Sequence, residues 1–257
     1  MKIFKHKKNL GQHFLINKQI LKKICMIHEI KNKTVLEIGP GKGYLTEYIL
    51  KKDPAKLFII EKDTSLAPYL EKIKDKYPKK LEILLDDIMK VDLKCLTKKK
   101  ILLIANLPYN LASTLVVEWL KYINIFESLV IMVQKEVAER LLAQVSTKLY
   151  GRLSVLVQVH ANVEKKFDVN PENFFPKPKV ISSVIELKPK KRNFKYDKLD
   201  FLLKTSFSHR RKKIRNNLKK ISPIYPIKNL KECQIDSNLR PQDISPNEYI
   251  KLSKLLN

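Results

Sequence analysis

Thr34-Val35-Leu36-Glu37-Ile38-Gly39-Pro40-Gly41-Lys42-Gly43 decides how the chain is read. A β-branched, apolar run breaks abruptly into a glycine-rich turn, and a helical pattern with Leu45, Ile49 and Leu50 follows. The whole chain has Gly 5, and three of those glycines crowd into this turn. A sequence that otherwise avoids glycine needs it here, for positive φ or for close approach of bare backbone to a ligand. Strand, glycine turn and helix form the layout in which a nucleotide packs against backbone at a helix N-terminus. The spacing is G-x-G-x-G and not the dinucleotide G-x-G-x-x-G, and the absence of G-K-[ST] excludes a P-loop. A tight strand-helix turn with no ligand is the plainer alternative.

Working outward, the next apolar run, residues 57–60, ends in Glu61, about 20 residues after the first glycine, where an acid accepts hydrogen bonds from ribose hydroxyls. The run 81–85 ends in Asp86-Asp87. A carboxylate at that third strand tip can accept from an adenine amine, or serve simply as a solvated loop residue or helix cap. Ile101-Leu102-Leu103-Ile104-Ala105 reads as a fourth buried strand, and Asn106-Leu107-Pro108-Tyr109 forms the loop at its carboxyl end. There the Asn106 amide supplies an acceptor, Pro108 has no N–H to offer, and Tyr109 offers a stacking face. That combination suits a planar base with an exocyclic amine; an ordinary turn with a core tyrosine is the competing reading. The four strand tips together describe one nucleoside-sized groove beside a base site.

The alternation continues. Residues 113–120 and 134–145 read as helices, 129–133 as a strand, and 153–159 and 180–187 as late strands. Repeated βα units imply a mostly parallel sheet covered on both faces. Between the late strands, Pro171-Glu172-Asn173-Phe174-Phe175-Pro176-Lys177-Pro178-Lys179 is a loop stiffened by three prolines. Phe174 is placed to close on a base opposite Tyr109, whereas Phe175 reads as core. After Pro189-Lys190-Lys191-Arg192 the pattern turns wholly helical, over 196–207, 212–220 and 246–256. Residues 1–192 thus read as a catalytic domain and 193–257 as a small helical domain.

Charge points to the partner. Lys+Arg is 52 against Asp+Glu 26, a formal net charge of +26 over 257 residues. A lysine-rich composition throughout accounts for part of this, but not for the arginine density in His209-Arg210-Arg211-Lys212-Lys213-Ile214-Arg215. Guanidinium groups fork onto phosphate, so Arg210, Arg211, Lys212 and Arg215 are candidate RNA-binding residues. Cys 3, widely spaced and without a CxxC pair, argues against a disulfide framework. The five histidines show no ligand spacing, so no metal is expected. The basic start, residues 1–8, lacks the apolar stretch of a signal peptide. No run approaches the roughly 18 apolar residues of a membrane span. The expected setting is cytoplasmic.

These motifs, in this order, resemble the rRNA adenine N6,N6-dimethyltransferases of the KsgA/RsmA type. The likeness is carried by Gly11-Gln12-His13-Phe14-Leu15, Glu37-Ile38-Gly39-Pro40-Gly41, Asn106-Leu107-Pro108-Tyr109-Asn110, Gln134-Lys135-Glu136-Val137, Tyr150-Gly151-Arg152-Leu153-Ser154-Val155, residues 174–180 and Arg210-Arg211-Lys212. It implies an α/β class I S-adenosylmethionine-dependent methyltransferase, a Rossmann-like sheet followed by the small all-helical domain. It further implies S-adenosylmethionine as methyl donor, in a pocket of His13, Leu15, Gly39, Glu61, Asp87 and Asn106. The catalytic set would be Asn106, Leu107, Tyr109 and Phe174. The implied substrate is a pair of adjacent adenosines in the 3′-terminal hairpin of small-subunit (16S) rRNA, on a 30S precursor, with a role in small-subunit biogenesis by a monomeric enzyme. His13 departs from the asparagine many relatives carry. Rival readings are an Erm-type enzyme on 23S rRNA, disfavoured by the motifs at 106–110 and 150–154, and a non-catalytic RNA-binding assembly factor.

Overall fold

The structure is a computed structural model, and residues 13–191, 193–221 and 225–256 are described. The basic start, the Gly11-Gln12 part of the first motif and Arg192 lie outside the described residues. The strands are β1 (Phe14–Leu15), β2 (Thr34–Ile38), β3 (Lys56–Ile60), β4 (Leu81–Leu84), β5 (Ile101–Asn106), β6 (Phe126–Gln134), β7 (Ala161–Val169), β8 (Phe174–Phe175) and β9 (Ser182–Pro189). The helices are α1 (Lys18–Ile24), α2 (Tyr44–Leu50), α3 (Ala67–Lys74), α4 (Ala112–Leu120), α5 (Lys135–Leu142), α6 (Arg152–His160), α7 (Tyr196–Ser206), α8 (Ile214–Leu218), α9 (Tyr225–Glu232) and α10 (Pro246–Lys254).

Seven strands form one sheet in the order β4-β3-β2-β5-β6-β9-β7, and β1 and β8 form a separate two-stranded ribbon. Strands β2 to β6 pair in parallel, and β9 runs antiparallel to β6. All five residues of β2 are buried, which is why its apolar residues Val35, Leu36 and Ile38 do not alternate with exposed polar ones. Strand order reverses at β2, which lies between β3 and β5. In open α/β sheets the crevice outside the carboxyl ends at such a switch point is where ligands bind. The core beneath it includes Val35, Leu57, Ile59, Leu102 and Val130, none more than 1% exposed. Each such side chain contributes about 1.5–3 kcal/mol by burial.

The chain divides into two compact units. The first holds Met1–Val116, Ile123–Ala138 and Glu164–Pro189; the second holds Val117–Tyr122, Glu139–Val163 and Lys190–Asn257. In the second, α7 packs on α8 and α10, and α6 packs on α10. Leu199, Leu202, Leu203, Tyr249 and Leu252 are buried there. A capping box starts α10: Glu248 N–H donates to Ser245 Oγ, and Ser245 N–H donates to Glu248 Oε2 at 2.7 Å.

One expected strand is a helix. Residues 153–159 lie inside α6, not in a late strand. A short apolar run without periodicity cannot be told from a buried helix segment by its pattern. Here Gly151 decides the matter, since its N–H donates to Ser154 Oγ and opens a helical turn. Ser154 Oγ in turn donates to the Arg140 carbonyl at 2.6 Å. The strand of this sheet that does precede β9 is β7, an edge strand whose exposed, charged residues carry no apolar alternation.

Candidate active site

The carboxyl ends of β2, β3, β4 and β5 open onto one cavity of about 210 Å³. Gly39, Pro40 and Gly41 line it from β2, Glu61 and Lys62 from β3, Asp86 and Asp87 from β4, and Asn106 to Leu111 from β5. His13, Phe14 and Leu15 add a wall from the ribbon. The six residues expected around a donor nucleoside, His13, Leu15, Gly39, Glu61, Asp87 and Asn106, therefore all face one space, together with Leu107 and Tyr109.

The glycine turn is built by backbone conformation. Gly39 and Gly41 have φ of 65° and 62°, a region strained for any residue with a side chain. At Gly41 a Cβ would also stand 2.5 Å from the Phe14 ring, so this glycine lets the ribbon close on the turn. At Gly39 a Cβ would meet only Pro108, at 3.9 Å, leaving bare backbone against the cavity.

Glu61 is 6% exposed. Its Oε2 accepts from Gly41 N–H at 3.1 Å and its Oε1 from Asp63 N–H at 2.7 Å. Burial raises its pKa, and these backbone hydrogen bonds oppose the shift. A carboxylate has about four acceptor sites, so these bonds still leave capacity for a ligand. Asp87 accepts from Lys62 Nζ at 2.7 Å, and that hydrogen bond holds its carboxyl below the usual range.

Sequence reasoning gave no role to Glu37. It is 2% exposed, lines the cavity and accepts from Thr46 Oγ1 at 2.6 Å. Burial pushes its pKa up to about 8, and the neighbouring Glu61 adds to the rise. The available signal was an acid in the centre of an otherwise apolar strand.

At the end of β5, Asn106 Nδ2 donates to the His13 carbonyl at 2.9 Å, which leaves Oδ1 as the acceptor. Leu107 N–H donates to the Met132 carbonyl, so the loop is pinned to β6. The Tyr109 hydroxyl and Ser182 Oγ lie 2.6 Å apart. Burial raises the Tyr109 pKa. The His13 ring stacks on Tyr109, with centroids 5.5 Å apart and planes at 25°. Because a carbonyl can only accept, His13 Nδ1 carries the proton in its 2.8 Å hydrogen bond to the Pro176 carbonyl.

Phe174 is not brought into this cavity. It is 3% exposed and belongs to the core cluster with Leu15 and Leu21, while Phe175, expected in the core, is 57% exposed. Pairing explains the exchange. In the ribbon Leu15 opposes Phe174 and Phe14 opposes Phe175, and paired residues share a face. The Leu15 face turns to the core. The four basic candidates belong to the second unit. There Arg210 Nη2 donates to the Lys148 and Tyr150 carbonyls at 3.0 and 2.7 Å and so braces that loop, and Arg210, Arg211, Lys212 and Arg215 are all exposed. Among the described residues no His, Cys, Asp or Glu group could hold a metal ion, and no helix is long and apolar enough to cross a membrane.

A family profile described as "Ribosomal RNA adenine dimethylase" matches residues 3–257. The chain belongs to that family. Proteins named ribosomal RNA small subunit methyltransferase A are similar over nearly full length. The Pelagibacter ubique protein is 42% identical over 97% of this chain and 96% of its own, and the Ehrlichia chaffeensis protein 42% identical over 98% and 97%. Among solved structures, a dimethyladenosine transferase from Plasmodium falciparum superposes with TM-score 0.82 at 29% identity, covering 93% of this chain and 96% of that one. The 23S rRNA methyltransferase ErmE shares the fold, with TM-score 0.71 at 21% identity over 94% of this chain and 98% of its own. This member of the dimethylase family thus has the class I methyltransferase sheet, with its strand ends arranged around the cavity.

Proposed function

We propose that this protein uses S-adenosylmethionine to dimethylate the N6 amines of two adjacent adenosines in the 3′-terminal hairpin of small-subunit rRNA. One observation carries the reading: the Asn106 acceptor and the Tyr109 ring open onto the same cavity as Gly39, Glu61 and Asp87. A donor nucleoside and an everted base can therefore share it.

The residues present fit the donor. Bare backbone at Gly39 gives a nucleoside a flat surface, buried Glu61 has lone pairs for ribose hydroxyls, and Asp87 can accept from the adenine amine. His13 and Leu15 close the pocket. When bound, S-adenosylmethionine supplies an electrophilic methyl group on sulfonium. No metal takes part in this reading.

The protein's own task is positioning. The target N6 lone pair delocalises into the ring and is a poor nucleophile. Asn106 Oδ1 and the Leu107 carbonyl accept its hydrogens and turn the lone pair toward the methyl carbon. Tyr109, with His13 on one face, presents the other to the base. As the C–S bond breaks and the C–N bond forms, the amine proton leaves to these acceptors or to water. Such alignment can supply about 7–11 kcal/mol in favourable cases. No dedicated base is required. Residues 193–257 serve as the helical RNA-binding domain through Arg211, Lys212 and Arg215, with Arg210 shaping that surface. The enzyme acts as a monomer on the 30S precursor in the cytoplasm, with a part in its assembly.

The test is mass mapping of methylated adenines after small-subunit rRNA is incubated with the protein and labelled donor. Two adjacent dimethyladenosines are expected; label on large-subunit rRNA alone, or none, overturns the proposal.

A further inference from the structure

The loop after β8 carries an arrangement that methyl transfer itself does not use. Phe175 is 57% exposed, and Lys177 and Lys179 are exposed, while Pro176 is half-buried and Phe174 and Pro178 are buried. An aromatic ring and two lysines are thus exposed within five residues of one loop. Neither lysine has a hydrogen bond or ion pair among the described residues. No acid occurs from residue 174 to 181.

This loop is held in place and adjoins the site. Ile16 N–H donates to the Asn173 carbonyl at 2.9 Å, and Asn17 Nδ2 to Asn173 Oδ1 at 2.8 Å. Pro171, Pro176 and Pro178 restrict the backbone. Phe175 pairs with Phe14, which lines the cavity. The next residue, Pro176, accepts from His13, whose ring stacks on Tyr109.

We infer that Phe175, Lys177 and Lys179 form a second contact for single-stranded RNA at the rim of the site, where Phe175 stacks on a nucleotide flanking the adenine to be methylated. The inference rests on the function proposed above and adds to it. A base turned out of a hairpin loop leaves its neighbours unstacked. An exposed ring between cations offers such a neighbour a π-face for the base and charge for its phosphates. A protein partner would have to cover an aromatic ring and two lysines with acids of its own, and the net charge of +26 favours the polyanion.

The experiment uses the full chain and a small-subunit rRNA hairpin bearing 2-aminopurine next to a target adenine. Wild-type protein is expected to quench the probe on binding. Phe175→Ala is expected to abolish that quenching and weaken binding about 5- to 150-fold, the span reported for loss of one base stack, while Phe175→Trp restores both. Lys177→Gln with Lys179→Gln should lower the salt dependence of binding. Donor affinity, measured by calorimetry, is expected to match wild type in each variant and shows that the cleft is intact. Undiminished binding and quenching by Phe175→Ala overturns the rim contact. So does a defect seen only when ribosomal proteins are present, which would mark a protein partner. If wild-type protein binds the hairpin but transfers no methyl group to it, the functional reading fails instead, and the quenching result still decides the role of Phe175.

Discussion

Replacing Asn106 by alanine separates two things the residue does. Its Nδ2 donates 2.9 Å to the His13 carbonyl, and its Oδ1 is the acceptor proposed for the target amine. The first contact is a single neutral hydrogen bond, with a net contribution of about 1 kcal/mol. Losing it should lower the melting temperature by roughly 2–4 °C for a chain of this size. The second contact matters when the lone pair is being turned toward the methyl group. Removing one preorganised polar partner from a reacting centre costs about 10²–10³ in kcat, or about 2.7–4 kcal/mol. The variant should therefore stay folded and bind small-subunit rRNA, yet lose methyl transfer by two to three orders of magnitude. Single-turnover transfer from labelled donor, beside filter binding of the rRNA, measures both. Asn106→Asp sharpens the test, because it keeps an acceptor but cannot donate to His13. It should lose the anchor and recover little rate. Methyl transfer by Asn106→Ala within about threefold of wild type would refute the role of Oδ1. Equal loss of binding and rate, with a large fall in melting temperature, would make the residue structural.

Two further outcomes follow from the same geometry. Glu37 has its pKa raised from 4.5 to about 8, so the folded state binds its proton more tightly than the unfolded chain; its stabilising effect is whole below pH 4.5 and is lost as pH rises toward 8. Glu37→Gln, which can still accept from Thr46, should remove that loss and gain melting temperature over wild type from pH 6 to 9; identical pH profiles for the two proteins would rule out a neutral Glu37. Neutralising exposed Arg211 and Lys212 together should reduce the slope of log affinity for rRNA against log salt by about 1.5, since each lost phosphate contact removes roughly 0.7–0.9; an unaltered slope would remove both from the interface.

Much of the site was legible because it sits where local sequence and topology agree. Each of β2, β3, β4 and β5 is a mainly apolar segment followed or ended by a polar residue or a glycine, and parallel pairing brings those ends to one edge without further information. What remained hidden depends on partners distant in sequence. The two-residue strands β1 and β8 are too short to show a period, and only their register tells which of Phe174 and Phe175 is buried. Residues 153–159 misled because burial on nearly every side erases periodicity, and one Ser154 hydroxyl settles the helix. Edge strand β7 was silent because few of its side chains enter the core. At Arg210 charge is visible in sequence, whereas the carbonyls of Lys148 and Tyr150 that its Nη2 also braces are not.

The register of β1 also bears on why histidine is tolerated at position 13. Asn106 reaches that residue through its main-chain carbonyl, so any side chain there leaves the Asn106 amide held in the same orientation. What the imidazole adds is separate. It covers one face of Tyr109 and ties the Pro176 carbonyl to the wall of the cavity. Asparagine could make the second contact with its amide N–H but has no ring for the first. The acceptor geometry proposed for transfer is therefore independent of the exchange, and the stack on Tyr109 is the part that histidine alone contributes. The backbone of residue 13 holds the Asn106 amide, and its side chain braces the Tyr109 ring and the Pro176 carbonyl.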